Sequence, residues 1–301
     1  MSAYTDNKAV IALGFFDGVH RGHAELIKTA KRRAEQIGAL PAVLSFDASP
    51  ESVVTGRSVP LIGSARTRAE IIRRLFGVET VIIYHFDKST MTMHWKEFIN
   101  SLVAEYSAAH IVIGHDFRCG YKGEGTPEKI SSYCAEIGIG CDVVPKFTLE
   151  GITVSSTYIR ELISAGEIER ANYFLGHFYI FAGTVEDGRK VGRHLGTPTI
   201  NLEGDDPNLV LPARGVYATK AVFDNQERPS VTNIGIRPTF GDSGNVTVET
   251  YIIDYNGDLY GKYVRLEFYK YLRPEKKFGS SAELSAQIAA DIETAKKVLD
   301  T

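Results

Sequence analysis

The chain has 301 residues, 44% of them apolar and 24% charged, with a formal net charge of −3. These values fit a globular protein with real cores and room for two domains, and they leave no basic field to attract nucleic acid. Three cysteines (Cys119, Cys134 and Cys141) form no Cys-x-x-Cys pair, and no run is apolar enough over a bilayer's thickness to span one. Reduced thiols, the absence of a leader pattern in MSAYTDNK and the absence of a membrane segment make a cytoplasmic protein the expectation.

Residues 9–31, AVIALGFFDGVHRGHAELIKTAK, set the organisation. An apolar run from Ala9 to Leu13 breaks at Gly14 into Phe15, Phe16, Asp17, Gly18 and Val19. His20, Arg21, Gly22 and His23 then lead into a helical pattern with Leu26, Ile27 and Ala30 on one face. The pattern is strand, glycine turn, helix N-terminus. A helix start offers unpaired N–H groups and the positive end of the macrodipole, which suits an anion, and Gly22 has no side chain to keep a phosphate away. His20 and His23 share one face of the first turn, where two imidazoles can donate to the charge that grows on phosphoryl oxygens. The same spacing also suits half of a metal site or two solvated loop residues.

Extended and helical patterns then alternate. Ala42–Phe46 reads as a strand, and Ser64–Phe76 as a helix with Ile71, Ile72 and Leu75 on one face. Val78–Phe86 is extended, His94–Tyr106 helical, His110–Ile113 extended, Thr126–Ile137 helical and Cys141–Phe147 extended. This alternation predicts an α/β domain with a parallel, doubly wound sheet, whose ligands sit beyond the carboxyl ends of the strands. Two further segments fall there. One is GHDFRCGYKGEG, from Gly114 to Gly125, which alone reads as a solvated loop. The other is Val154-Ser155-Ser156-Thr157-Tyr158-Ile159-Arg160, which opens a helix with Ile159, Leu162 and Ile163 on its apolar face. Its hydroxyls are first of all N-caps, yet Arg160 opposes the macrodipole, a conflict that a bound anion would remove. Gly166 breaks this helix and Gly176 stops the next, which places a domain boundary near residue 180 and predicts domains at 1–180 and 181–301.

Beyond it the texture is strands and turns. Tyr179–Val185, Gly215–Phe223, Ser230–Ile234, Val246–Ile253 and Tyr263–Tyr271 predict a small closed β-barrel, followed by a helix over Ser280–Leu299 that opens with a capping-box pair, Ser280 and Glu283. Between the first two strands lies GRKVGRHLGTPTIN. Gly188, Gly192 and Gly196 with Arg189, Lys190 and Arg193 could wrap polyphosphate, or form an ordinary basic turn. If the next residues are extended, Thr199 and Asn201 point to one side and offer neutral oxygens to Mg²⁺. Strict alternation sets Glu249 opposite Val248 and Thr250, as a solvated outward residue or, at a ligand mouth, as an acceptor for the proton of an attacking hydroxyl.

FDGVHRGH, GHDFRCGYKGEG and SSTYIR resemble, in that order, the adenylyltransferase module of the bacterial bifunctional riboflavin kinase/FAD synthetase family. GRKVGRHLGTPTIN, RGVYA, NIGIRPTFG, VETYIIDYNGDLYG and YLRPEKKF resemble its kinase module. The resemblance implies a Rossmann-like nucleotidyltransferase domain and a barrel kinase domain that convert riboflavin to FMN and FMN to FAD, with ATP and Mg²⁺. It implies that His20 and His23 hold the ATP phosphates, with Gly14, Phe16, Asp17, Gly22, Ser155, Ser156, Thr157 and Arg160 along the nucleotide path. In the barrel it assigns ATP to Gly188, Lys190, Gly192, Arg193 and Gly196, the metal to Thr199 and Asn201, and activation of the ribityl hydroxyl to Glu249. Asp116, Phe117 and Arg118 in one half, and Arg237 and Phe240 in the other, become flavin-side residues. The partners implied are small molecules (riboflavin, FMN, FAD and ATP), with neither nucleic acid nor membrane, and nothing in the sequence specifies an oligomeric state.

One departure stands out. The family's Phe-x-Pro-His-Pro is here Phe46-Asp47-Ala48-Ser49-Pro50. A lost charged donor is worth about 1.5–3 kcal/mol if buried, so an enzyme that keeps only the kinase is a second expectation. A flavin-binding protein without catalysis is a third.

Overall fold

The apolar run of β1 (Ala9–Leu13) is buried on both faces, with Val10, Ile11, Ala12 and Leu13 fully inaccessible, as a central strand of a parallel sheet requires. In the computed structural model, which describes residues 8–186, 198–236 and 246–300, the chain forms two compact units. One ends at Val59 and resumes over Ala65–Ser155; the other takes in Pro60–Ser64 and the residues from Ser156 onward.

In the first unit β1 is followed by α1 (Arg21–Ile37), β2 (Leu40–Phe46), α2 (Pro50–Thr55), α3 (Ala65–Phe76), β3 (Thr80–Tyr84), α4 (Lys88–Thr92), α5 (Trp95–Tyr106), β4 (Ala108–Gly114), α6 (Pro127–Glu136) and β5 (Gly140–Val144). The sheet order is β3-β2-β1-β4-β5, all parallel. The chain runs from β1 to β2 on one side and returns to β4 on the other, so the switch point lies between the carboxyl ends of β1 and β4. The His20 loop and the Gly114–Gly125 loop both leave from there.

The expected doubly wound sheet is present, with differences of local cause. Helices α2 and α4 were not expected from periodicity; each is short and is started by a side-chain cap, Ser49 accepting from the Ser52 N–H at 3.3 Å and Asp87 from that of Thr90 at 2.9 Å. Leu75 does not join Ile71 and Ile72 on the buried face but is exposed. The extended stretch through Phe147 ends at Val144 and gives way to a hairpin of β6 (Thr148–Leu149) and β7 (Ile152–Thr153).

The second unit comprises α7 (Ser156–Ser164), α8 (Ile168–Leu175), β8 (Tyr179–Glu186), β9 (Thr199–Gly204), β10 (Gly215–Phe223), β11 (Gln226–Ile236), β12 (Val246–Ile252), β13 (Tyr263–Arg273) and α9 (Ser281–Leu299). Six strands close into a barrel in the order β10-β11-β12-β9-β8-β13. Its interior holds a chain of buried hydroxyls: Thr219 Oγ1 lies 2.8 Å from Ser230 Oγ and 2.7 Å from Thr232 Oγ1, which lies 2.9 Å from Thr250 Oγ1. Each hydroxyl satisfies a neighbour, so none is stranded without a partner. Helix α9 starts with the expected capping box, the Glu283 N–H donating to Ser280 Oγ at 3.2 Å and Glu283 Oε2 accepting from the Gly279 N–H at 2.9 Å. It is tied to β13 by Arg273, whose Nε and Nη2 reach the buried carboxylate of Asp291 at 2.7–3.1 Å. Helices α7 and α8 join this unit, and Asn172 of α8 donates to the Phe268 carbonyl at 2.8 Å.

Closure of the barrel between β8 and β9 depends on Gly183, where a Cβ would fall on the backbone carbonyl of Glu203. Gly183→Ala is expected to destabilise the protein by about 3 kcal/mol, the upper end of ordinary overpacking, because the obstacle is main chain. Urea denaturation measures it; an unchanged midpoint would show that the β8–β9 pairing yields without cost.

Candidate active sites

The turn after β1 is unusual for its residue types. Phe16 and the β-branched Val19 adopt positive φ, 56° and 44°, on either side of Gly18 at 74°. Such backbone costs about 1–3 kcal/mol per residue and survives only where the surroundings over-determine it. The result is that His20 becomes the N-cap of α1, its Nδ1 accepting from the His23 N–H at 3.2 Å. The two imidazoles stack, centroids 3.6 Å apart and planes within 9°. A Cβ on Gly22 would press the His20 ring at 3.1 Å, and one on Gly14 the Phe16 ring at 3.1 Å, so both glycines are required by close approach. Asp17 is buried in the same turn. Parallel stacked rings do not converge on one ion, and the His20 nitrogen is already used as a cap, so the metal half-site is set aside.

Arg68 of α3 is a component that motif reading missed. It is fully buried, donates to the Phe46 carbonyl at 2.6 Å and lies 4.2 Å over the Phe15 ring. Burial, then the neighbouring His20, then the charge of Arg68 hold His23 well below the usual imidazole pKa. The signal was available: Thr67, Arg68, Ile71 and Ile72 are the buried face of α3, so its phase places a cation among apolar residues.

In the same unit a cavity of about 460 Å³ is lined by Phe46, Pro50, Phe86, Phe98, Phe117 and Arg118, among others. Two of the three expected flavin-side residues of this half therefore line one apolar space. The third, Asp116, is exposed, 3.8 Å from His115. Ser155 ends the first unit, while Ser156, Thr157 and Arg160 open α7 in the second. There the Arg160 guanidinium donates to the Pro60 carbonyl at 2.7 Å and to Thr157 Oγ1 at 3.2 Å, which offsets its conflict with the macrodipole without an anion.

In the barrel, Glu249 faces outward with Tyr251, as alternation required, while Val248 and Thr250 are buried. It sits in register between Asn201 of β9 and Asn233 of β11. That outward face is covered by α9, and a cavity of about 340 Å³ between them is lined by Thr199, Asn233, Glu249, Arg273, Leu284 and Ile288, among others. A second cavity of about 320 Å³, lined by Pro198, Ile200, Tyr255 and Asn256 among others, also has Thr199 in its wall. Asn233 and the Arg273–Asp291 pair were not singled out from sequence; cross-strand register alone reveals the first. Gly188, Lys190, Gly192, Arg193, Gly196, Arg237 and Phe240 lie outside the described residues.

A doubly wound sheet with paired histidines at a helix start, followed by a barrel with a carboxylate in a cavity wall, fits a two-module transferase of phosphoryl and nucleotidyl groups. Sequence comparison agrees. The FAD synthetase family matches residues 2–158, and the riboflavin kinase family residues 175–299. The bifunctional riboflavin kinase/FMN adenylyltransferase of Listeria monocytogenes is 36% identical over 96% of this chain and 91% of its own. That of Bacillus subtilis is 36% identical over 94% and 90%. The chain belongs to this bifunctional family. A solved Streptococcus pneumoniae structure, described as a macrolide-efflux protein, superposes with a TM-score of 0.84 and 29% identity over 97% of this chain and 95% of its own. Among the described residues no helix is long and apolar enough to cross a membrane.

The His23 ring is expected to remain neutral at pH 6 in the free protein and to gain proton affinity when tripolyphosphate is added. Because burial disfavours its charged form in the folded state, the unfolded chain takes up more protons on acidification, and this group removes stability as pH falls. Imidazole ¹⁵N NMR reads both states; an ordinary titration, unmoved by the anion, would contradict this arrangement of charge.

Proposed function

We propose that Glu249, on the wall of the barrel cavity and in register with Asn201 and Asn233, is the proton acceptor for riboflavin phosphorylation, and that the His20/His23 turn serves FMN adenylylation. The chain carries both family modules, and it is a bifunctional enzyme of flavin cofactor synthesis. The position of Glu249 is the observation that carries the assignment: a carboxylate on an outward strand face is ordinarily solvated, and here it lines a concavity.

In the barrel the flavin lies in the Glu249 cavity and ATP beyond Thr199, a residue that lines both cavities. Glu249 takes the proton of the terminal ribityl hydroxyl as its oxygen bonds to the γ-phosphorus and the bond to the ADP oxygen breaks. Thr199 and Asn201 supply two neutral oxygens from alternate positions of β9, a donor set that suits Mg²⁺. When bound, the ion would neutralise phosphate charge. Asn233 and Asn201 flank the base and hold its orientation.

In the sheet unit an FMN phosphate oxygen bonds to the α-phosphorus of ATP and pyrophosphate leaves. His20 and His23 donate to phosphoryl oxygens, and the N–H groups at the start of α1 with buried Arg68 add fixed positive charge. The FMN ring occupies the cavity lined by Phe117 and Arg118, and Ser155 belongs to the phosphate path. The division of labour follows 1–180 and 181–301. A cytoplasmic location and small-molecule partners, without nucleic acid, belong to the same reading; the net charge of −3 and the lack of a spanning helix among the described residues support it.

Glu249→Gln is expected to abolish FMN formation from riboflavin while FAD formation from supplied FMN stays within about twofold, and His23→Ala to do the reverse. Chromatographic separation of flavins decides it. Loss of both activities in either variant would refute the assignment of one chemistry to each unit.

A further inference from the structure

The segment in which this chain departs from its family's pattern contains no histidine but binds one from another loop. His85 directly follows β3, and Asp47 directly follows β2. The Asp47 carboxylate accepts three hydrogen bonds: from the Ala48 N–H at 2.8 Å, from the Phe86 N–H at 2.9 Å and from His85 Nδ1 at 2.6 Å. The Asp47 N–H donates to the Tyr84 carbonyl at 3.1 Å and prolongs the β2–β3 pairing. One carboxylate therefore binds together the two loops that lead into α2 and α4. On the other side of the ring, Asp87, which caps α4, stands 3.9 Å from His85 Nε2. Ser49, at the position of the family histidine, is used as the cap of α2.

These loops form one rim of the apolar cavity. Phe46, Pro50 and Val54 come from the β2–α2 side, and Phe86, Thr90 and Met91 from the β3–α4 side. The residues at the joint, Asp47 and His85, are neighbours of lining residues but do not line the cavity themselves. We infer that the Asp47–His85 pair is a latch that holds the two sides of this rim together, making His85 a positioning residue for the flavin in adenylylation. The inference rests on the reading that this cavity holds the FMN ring.

The latch titrates. The hydrogen bond to Asp47 and then its charge, with a smaller contribution from Asp87, raise the His85 pKa. The only other charged side chains on the two helices are Glu51 and Lys88. A His with a raised folded-state pKa stabilises its contacts fully at low pH and loses them as pH rises through that value. Flavin affinity therefore falls as pH rises through the raised pKa of His85.

The full-length protein is assayed for FAD formation from supplied FMN, with KM for FMN and for ATP measured from pH 6 to 8.5. In the parent protein KM for FMN should rise with pH. His85→Ala should raise it about fivefold at pH 6, abolish its pH dependence, and leave kcat and KM for ATP within twofold. His85→Arg, which keeps a cation that does not titrate, should restore affinity and hold it flat with pH. Phe117→Ala tests the cavity assignment and should raise KM for FMN on its own. If Phe117→Ala impairs FMN binding while His85→Ala changes neither KM nor its pH dependence, the latch is refuted. If Phe117→Ala leaves KM for FMN unchanged, the cavity assignment fails and the latch with it.

Discussion

A guanidinium that keeps its charge while excluded from water is the constraint on which the first unit depends. Arg68 has no exposed surface, and such a group is tolerated only where its surroundings replace the lost hydration. The Phe46 carbonyl at the end of β2 and the Phe15 ring at the end of β1 contribute directly to that replacement. This ties the end of each strand, and the placement of α3, to one side chain. It also adds to the control of His23: burial first, then the neighbouring His20, then the charge of Arg68 lower its pKa, so the turn is short of negative charge in the free protein. The strained φ of Phe16 and Val19 is then intelligible as the geometric cost of bringing His20 onto the end of α1 above Gly22.

In the barrel the equivalent constraint is register. The period of two along β12 puts Glu249 outside and Val248 and Thr250 inside, and a slip of one residue would bury the carboxylate among the Thr219, Ser230 and Thr232 hydroxyls. Antiparallel pairing then fixes its lateral neighbours as Asn201 and Asn233. An outward face becomes a site only because α9 roofs it, and α9 is held there by the Arg273–Asp291 pair as well as by Ala295 and Leu299 packed with Ala218 and Ile253. The ion pair is buried on the Asp291 side, so removing one partner would strand a charge at the cavity wall.

Much of this was legible in the sequence because it follows from period. Strand–helix alternation gave the parallel sheet, and the glycine turn before His20 gave the helix start. The alternation in NVTVETYII gave the face of Glu249. What stayed hidden depends on pairing between distant segments. The phase of α3 marks Arg68 as a cation among apolar residues, but what it holds together appears only when β1 and β2 are seen to end beside it. Asn233 opens the NIGIRPTFG motif, but nothing local says that it stands opposite Glu249. Helices α2 and α4 are too short to show a hydrophobic period, and their caps, Ser49 and Asp87, read equally well as loop residues. Ser49 is the instructive case: read against the family pattern it is a missing imidazole, whereas in the structure it has a structural task, and the nearby imidazole belongs to His85.

The two units also differ in the way their nucleophiles require. A terminal phosphate is already ionised near neutral pH, so FMN needs no base to attack ATP; the obstacle is the approach of one anion to another. On the proposed assignment the turn after β1 meets that need with imidazoles, a helix N-terminus and a buried guanidinium, all of which are donors or fixed positive charge. A ribityl hydroxyl is neutral and must lose its proton as it reacts, so the barrel needs an acceptor. On the same proposed assignment its cavity carries one in Glu249, which stands in register between the neutral amides of Asn201 and Asn233. An arginine paired with a general base would stabilise its ionised form and weaken it as a base; of the two cations that line this cavity, Arg273 and Lys276, the first is engaged by Asp291. Placing both chemistries in one pocket would set these demands against each other, since the cations that draw two phosphates together would also depress the basicity of the carboxylate.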